Sequence, residues 1–177
     1  ESLPESINQN RVRVFFYFRL LLSLSYILLN IERSYQFQTE AVFENIANRI
    51  TLELEAAQHT IYIAVAWFTN RSLFNVLLEK AKEGVTVQLM LSNDFINQKS
   101  HVDYDQLNIA SSGSYLIGDG NQDLMHNKFC VIDTDTVING SYNWSYKAEK
   151  NHENILITKG DSVLAKQFIK QFKKIRN

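Results

Sequence analysis

The residues of this sequence that are best suited to chemistry lie in one segment, from Leu124 to Asn154. His126 and Lys128 are separated by a single residue, so an extended strand would place both side chains on the same face. An imidazole beside an ammonium group suits the buried face of a sheet poorly, but it suits the binding of an anion. The pair therefore predicts an anion-binding site.

Small and polar residues follow this pair at a fixed distance. Gly140 and Ser141 form a tight, small turn, and Asn143 comes shortly after it. Glycine permits close approach of the backbone, while serine and asparagine supply uncharged hydrogen-bond donors. Glu153 adds a carboxylate at the start of the next predicted strand. These residues are expected to complete the site.

The elements that must position these residues alternate between helix and strand from about Gln38 onward. Apolar periodicity predicts helices over Glu40–Ala56, from Asn70 or Ser72 to Gly84, over Tyr104–Ala110 and over Ser162–Ile175. Short apolar runs predict strands at Ile61–Ala66, Val85–Leu91, Tyr115–Ile117, Lys128–Asp133, Thr136–Ile138 and Ile155–Thr158. The polar stretch Asn93–His101 is predicted to be a loop. The pattern indicates a layered α/β domain with a mixed sheet.

The composition excludes several classes of protein. A chain of 177 residues has room for one domain, or for one domain and an extension. With 45% hydrophobic and 21% charged residues, the chain is not disordered throughout. A net charge of −1 argues against coating nucleic acid by bulk charge, although a local basic site stays open. The single cysteine, Cys130, excludes a disulfide framework and a cysteine-rich zinc module.

The N-terminal residues differ from the rest, and we divide the chain into an apolar extension, residues 1–37, and a domain, residues 38–177. Residues 14–31 are nearly all apolar, but a membrane-spanning helix needs about 20 apolar residues, and Arg19 interrupts the run. A packed or poorly ordered extension is the favoured interpretation. A membrane anchor and a cleaved signal are the alternatives. We therefore expect a cytoplasmic protein, with membrane association through residues 14–31 as the alternative.

One spacing carries a family resemblance. The pattern H-x-K-x4-D-x6-G-S-x-N is filled by His126, Lys128, Asp133, Gly140, Ser141 and Asn143. It resembles the signature of the phospholipase D superfamily, and the downstream Glu153 and the predicted first βαβ unit also match. The resemblance covers residues 38–177 and is strongest to the single-motif members, the small bacterial endonucleases and the mitochondrial cardiolipin hydrolases. It implies a phospholipase D-like sandwich with a mixed β-sheet and helices on both faces.

The resemblance also implies a role for each residue of the motif. His126 would attack phosphorus and form a covalent phosphohistidine, while Lys128 and Asn143 would bind the non-bridging oxygens and stabilise developing charge. Glu153 would hold the other ring nitrogen of His126.

The remaining motif residues have supporting roles. Ser141 and Gly140 would assist substrate binding, and Asp133 is assigned a structural role at the predicted hairpin. No cofactor and no metal are implied, because two copies of the motif can supply the charge stabilisation.

One copy of the motif is not sufficient for the reaction, because the leaving oxygen needs a proton from a second histidine. None of the other histidines has a lysine two residues later, so a homodimer with one composite site is expected. The predicted activity is that of a nuclease on DNA or RNA. A phospholipase D or cardiolipin hydrolase is the first alternative, and a non-catalytic nucleic-acid-binding module is the second.

Overall fold

The computed structural model describes residues 14, 16–26, 37–119 and 123–177. The chain divides into two units, Glu1–Gln36 and Phe37–Asn177. In the first unit, residues 16–26 form helix α1. None of the helices in the described ranges is long and apolar enough to span a bilayer. The three interpretations of residues 14–31 remain predictions, and part of that run, residues 15 and 27–31, lies outside the described residues.

In the described part of the second unit, seven strands form one sheet. They are β1 (Gln38–Val42), β2 (Thr60–Val65), β3 (Thr86–Ser92), β4 (Gly113–Ile117), β5 (Lys128–Ile132), β6 (Thr136–Gly140) and β7 (Ile155–Lys159). The helices are α2 (Ile46–Glu55), α3 (Arg71–Lys82), α4 (Phe95–Gln98) and α5 (Ser162–Arg176), with 3₁₀ turns at Tyr104–Leu107 and Ala148–Lys150.

The sheet is mixed, and its centre brings the motif strand beside the first βαβ unit. The strand order is β1-β7-β6-β5-β2-β3-β4. Strands β2, β3 and β4 are parallel, whereas β5 pairs antiparallel with both β2 and β6. In the β2–β5 register, Val65 lies opposite Lys128. The carboxyl end of β2 therefore meets the amino end of β5.

Two apolar cores cover the two faces of the sheet. The larger core includes Ile50 and Leu54 of α2 and Leu77 of α3, and the smaller one includes Ala165 and Phe172 of α5. All five side chains are fully buried. The predicted mixed sheet with helices on both faces is confirmed.

The βαβ unit follows the predicted boundaries closely because its ends carry clear signals. Helix α3 begins after Asn70, whose Oδ1 accepts hydrogen bonds from the backbone N–H groups of Ser72 at 3.0 Å and Leu73 at 3.2 Å. It ends before Gly84, which has a φ of 97° that other residues rarely adopt.

Two predicted boundaries are wrong. The predicted helix over Glu40–Ala56 begins only at Ile46, because residues 38–42 form the edge strand β1 and pair antiparallel with β7. Strand pairing with β7 here outweighs the helical periodicity of the sequence. The predicted loop Asn93–His101 contains the short helix α4, whose first turn is capped by Asp94.

Candidate active site

His126 and Lys128 lie together where β5 begins. His126 is exposed in the segment before the strand, and Lys128 is its half-buried first residue. Lys128 Nζ lies 3.2 Å from His126 Nε2 and donates a hydrogen bond to the His126 carbonyl oxygen at 3.0 Å. The predicted juxtaposition of imidazole and ammonium is therefore present in the structure. An anion placed against Nζ would also meet the imidazole nitrogen.

The charge on Lys128 is held in a partly desolvated environment. Burial lowers the pKa of Lys128, and the negative charge of Glu153 opposes that effect. The carboxylate of Glu153 therefore lies near enough to act electrostatically on the ammonium group. A cation with reduced hydration binds an anion more strongly than one that is fully solvated.

Asn143 presents its amide to the same region. The residue is 8% exposed, and its Oδ1 accepts a hydrogen bond from the backbone N–H of Trp67 at 3.2 Å. That bond fixes the orientation of the amide, and in the described part of the chain no group accepts from its Nδ2. Asn143 thus carries an oriented donor that is free for a ligand.

The end of β2 joins the two halves of the motif. The backbone N–H of Ala66 donates to the carbonyl of Asn127 at 2.9 Å, which ties this end to the residue between His126 and Lys128. The N–H groups of Thr69 and Asn70 donate to the carbonyl of Trp144, next to Asn143. Residues 66–70 therefore bring His126, Lys128 and Asn143 to one end of the sheet.

Ser141 and Glu153 are directly bonded to each other. The Ser141 hydroxyl donates to Glu153 Oε2 and accepts from the backbone N–H of Asn154 at 3.1 Å, while Asn151 Nδ2 donates to Glu153 Oε1 at 3.2 Å. We expected Glu153 to hold a ring nitrogen of His126. Within the residues that the structure describes, no hydrogen bond joins those two side chains.

At Gly140 the start of β7 packs closely against the motif. A Cβ atom at this position would lie 2.1 Å from the carbonyl oxygen of Asn154 and 2.8 Å from the Cα of Ile155. Only glycine therefore fits without displacing the strand. Its visible contribution is this close packing, and its predicted role in substrate binding stays a prediction.

Asp133 lies away from this group, at the opposite end of β5. Its carboxylate accepts three backbone hydrogen bonds, from Gln58 at 2.8 Å, His59 at 2.7 Å and Thr60 at 2.9 Å. Burial favours the neutral acid, but these three bonds outweigh it and lower the pKa of Asp133. The residue thus ties the β5–β6 turn to the start of β2.

Three residues outside the motif also contribute to this region. Trp67 packs edge-on against His126, with ring centroids 5.8 Å apart and planes inclined by 74°. Its indole N–H donates to Asp94, and the buried Asn97 bonds to the backbone of residues 66 and 68. An aspartate three positions before an asparagine in a polar stretch is a weak capping signal. Nothing in the sequence connects Asp94 with His126.

A cavity of about 410 Å³ adjoins His126. Its lining combines apolar side chains with polar ones: Ile117, Gly118, Asp123, Leu124, Met125, His126, Asn127, Gln171 and Ile175. Within the described ranges, no group of three or more His, Cys, Asp or Glu side chains could hold a metal ion.

Fold and site together define an α/β protein of the phospholipase D type, with one His-Lys-Asn set at the end of a mixed sheet. A family model described as "Cardiolipin synthase, PLD-like domain" matches residues 50–176. The chain therefore belongs to the phospholipase D-like family, as the motif spacing predicted.

Relatives of known name are similar over most of this domain. The chain is 32% identical over 130 residues to a mitochondrial cardiolipin hydrolase of Xenopus laevis, which covers 72% of this chain and 60% of that protein. It thus spans only about three fifths of that relative. It is 24% identical over 170 residues to a phospholipase D of Rickettsia prowazekii, covering 89% of this chain and 80% of the other.

A solved structure shows the same fold. It is that of Nuc from Salmonella typhimurium, a phospholipase D family member. The TM-score is 0.63 at 22% identity, and the match covers 79% of this chain and 94% of the other.

Proposed function

We propose that this protein is a metal-independent phosphodiesterase that acts through a covalent phosphohistidine, with nucleic acid as its substrate. The observation that carries the proposal is the contact of 3.2 Å between Lys128 Nζ and His126 Nε2. It places the electrostatic partner of a phosphate beside the nitrogen that would attack it. The free Nδ2 donor of Asn143 supports the same role from the other half of the motif.

The first chemical step is an exchange at phosphorus. The neutral imidazole of His126 attacks, a P–N bond forms, and the P–O bond to the leaving group breaks. Lys128 and Asn143 stabilise the negative charge on the non-bridging oxygens. Water then attacks phosphorus, the P–N bond breaks, and free His126 is regenerated with a phosphate monoester as product.

Both steps need a proton carrier opposite His126. The leaving oxygen must receive a proton in the first step, and the attacking water must lose one in the second. We propose that the partner subunit's His126 performs both tasks in a homodimer with one composite site.

The choice of nucleic acid as substrate rests on the exposure of the site. His126 is exposed and the adjoining cavity is open to polar groups, which suits a polymer whose backbone phosphate must reach the nucleophile. The resemblance to single-motif endonucleases supports the same choice. A phospholipid is the second candidate, because relatives named cardiolipin hydrolase and phospholipase D match the domain.

A parallel assay separates these candidates. Purified protein is given single-stranded DNA, duplex DNA, RNA and cardiolipin vesicles, each with and without excess EDTA, beside the His126→Asn variant. We expect cleavage of nucleic acid that survives EDTA and disappears in the variant. Hydrolysis of cardiolipin alone would replace the nuclease proposal with the lipid one. Binding without turnover of any substrate would support a non-catalytic module.

Oligomeric state and the intermediate are tested separately. Sedimentation at micromolar concentration is expected to give twice the chain mass of 20.5 kDa. Protein quenched during turnover is expected to carry acid-labile phosphate on His126. A fully active monomer would contradict the composite site, and magnesium-dependent activity would contradict the metal-independent mechanism.

A further inference from the structure

Trp67 contacts both catalytic halves of the motif. Its indole ring packs edge-on against the imidazole of His126, at 5.8 Å between centroids. Its backbone N–H donates to Oδ1 of Asn143 and so orients that amide. One residue thus touches the proposed nucleophile and the proposed phosphate donor through two different groups.

The indole is held from the side by Asp94. Trp67 Nε1 donates to Asp94 Oδ2 at 2.6 Å. The other carboxylate oxygen, Oδ1, accepts from the backbone N–H groups of Ile96 at 3.0 Å and Asn97 at 3.1 Å and caps helix α4. The two oxygens of Asp94 therefore have separate tasks, one toward the helix and one toward the indole.

The backbone under the indole is fixed as well. Asn97 is 2% exposed, donates to the carbonyl of Ala66 at 2.6 Å, and accepts from the N–H of Phe68 at 3.0 Å. These bonds flank Trp67 on both sides in the chain. With the backbone clamped and the ring tied to Asp94, the indole has little freedom to rotate.

Trp67 is not simply part of the core. The neighbouring Phe68 is fully buried in the larger core, whereas Trp67 is half-buried and belongs to neither core. His126 is exposed, and beside the contact of its Nε2 with Lys128 Nζ, the packing of Trp67 against its ring is the contact that restricts its rotation. In-line attack on phosphorus requires a fixed direction of the attacking nitrogen.

We propose that Trp67, anchored by Asp94, is a positioning residue that holds the imidazole plane of His126 for attack. The proposal rests on the proposed function of His126 as nucleophile. Trp67 itself takes no part in bond making. It restricts the ring to the orientation in which Nε2 faces the phosphate bound at Lys128 and Asn143.

Asp94→Asn tests the anchor with the change of one atom. The amide keeps Oδ1 as the helix cap, but its Nδ2 cannot accept the indole hydrogen bond. We expect kcat on bis(p-nitrophenyl) phosphate to fall about 5- to 20-fold while KM stays within about twofold. Trp67→Phe removes the donor and keeps an aromatic ring, so it should give a similar loss. The double variant should be no worse than either single variant, because both break the same bond.

A spectroscopic measurement separates positioning from stability. The indole ring current should displace the ring-proton NMR signals of His126, which His126→Asn identifies by their loss. In Asp94→Asn this displacement should shrink, because the indole is no longer fixed. Phe95→Ala, an exposed residue on the same helix, is the matched control and should change neither kcat nor these signals.

Two results would overturn the proposal. One is wild-type kcat in Asp94→Asn. The other is a loss of kcat in which the His126 signals stay unchanged and the two single variants combine multiplicatively. The NMR shift does not depend on turnover, so an inactive wild-type protein would count against the proposed function and leave the contact itself testable.

Discussion

Strand β5 has very different polar environments at its two ends. At its amino end, and among the residues that the structure describes, Lys128 bonds only to atoms of His126, and the nearby Asn143 keeps a free side-chain donor. Just beyond its carboxyl end, Asp133 accepts hydrogen bonds from three backbone N–H groups at the start of β2. Both ends involve the same pair of strands, β2 and β5. At the amino end, polar groups remain available to a ligand, whereas at the carboxyl end they form hydrogen bonds within the fold.

The difference separates function from stability within one motif. A polar group that bonds mainly to a neighbour in its own segment contributes little to holding distant segments together. A carboxylate that accepts hydrogen bonds from the start of another strand contributes directly, and its removal deprives three backbone N–H groups of their partner. Substitutions at the two ends should therefore affect different measurements.

The largest expected effect is at the amino end. His126→Asn should lower kcat at least about 1,000-fold, because the amide cannot attack phosphorus. The exposed position should leave the melting temperature almost unchanged. Steady-state kinetics and thermal melts check the two expectations. His101→Asn, the same change at another exposed histidine, is the control and should keep full activity.

Lys128→Met should lower the activity and raise the melting temperature. Loss of the cation should lower kcat about 100- to 1,000-fold. Burial lowers the pKa of Lys128, so protonation of this lysine costs folding free energy at neutral pH. The variant should therefore melt about 1–3 °C higher than the wild type.

The gain in melting temperature has a defined pH dependence. It should be present below the folded-state pKa of Lys128 and shrink above it, where the wild-type side chain is already neutral. Lys147→Met, at an exposed position, is the control and should alter neither activity nor stability. A lower melting temperature in Lys128→Met at neutral pH would show that the lysine stabilises the fold.

Asp133→Asn should lower the stability of the fold and leave the activity unchanged. One carboxylate oxygen that accepts from Gln58 becomes a donor, which should cost about 1–2 kcal/mol of stability. The kcat per folded molecule should not change, because the residue lies at the other end of β5. Chemical denaturation measures the first quantity and kinetics the second. Asp135→Asn, in the same turn and with one longer bond of 3.3 Å to Gly160, should cost less.

The pH dependence of this difference follows from the lowered pKa of Asp133. The group is ionised in both states above its unfolded pKa, about 3.9, so its full contribution to stability is present there. As pH falls through the lower folded-state pKa, the native carboxylate also takes up a proton and the contribution is lost. The stability gap between wild type and Asp133→Asn should therefore close under acidic conditions.

The motif was predictable from the sequence because its information is local. His126 and Lys128 are one residue apart on an extended segment, and the hairpin that carries Asn143 close to them has only a short turn. The βαβ unit was equally readable, since Asn70 and Gly84 mark both ends of α3. In each case the signal lies within a few residues of the feature that it determines.

What the sequence did not predict depends on contacts between distant segments. Strand β1 is exposed over most of its length and gains its structure by pairing with β7, more than 100 positions later. Trp67 and Asp94 are 27 positions apart and meet only because β2 and β3 are parallel neighbours. No local spacing connects either pair, so the sequence alone predicted neither the edge strand nor the hydrogen bond between Trp67 and Asp94.

The smallest expected effect concerns Ser141, which lies at the amino end of β5 but differs from its neighbours there. Its hydroxyl is bonded on both sides, to Glu153 as donor and to Asn154 N as acceptor. Ser141→Ala should lower kcat about 3- to 10-fold, because water can replace both bonds at this exposed position. Ser141→Thr keeps the hydroxyl and is the matched control, which should recover most of the activity.

Two other outcomes would change the role of Ser141. If Ser141→Ala lost as much activity as Lys128→Met, the Ser141 hydroxyl would bind phosphate directly, as a third donor beside Lys128 and Asn143. If its main effect were a loss of stability with unchanged kcat, Ser141 would belong with Asp133 among the residues that hold the fold together.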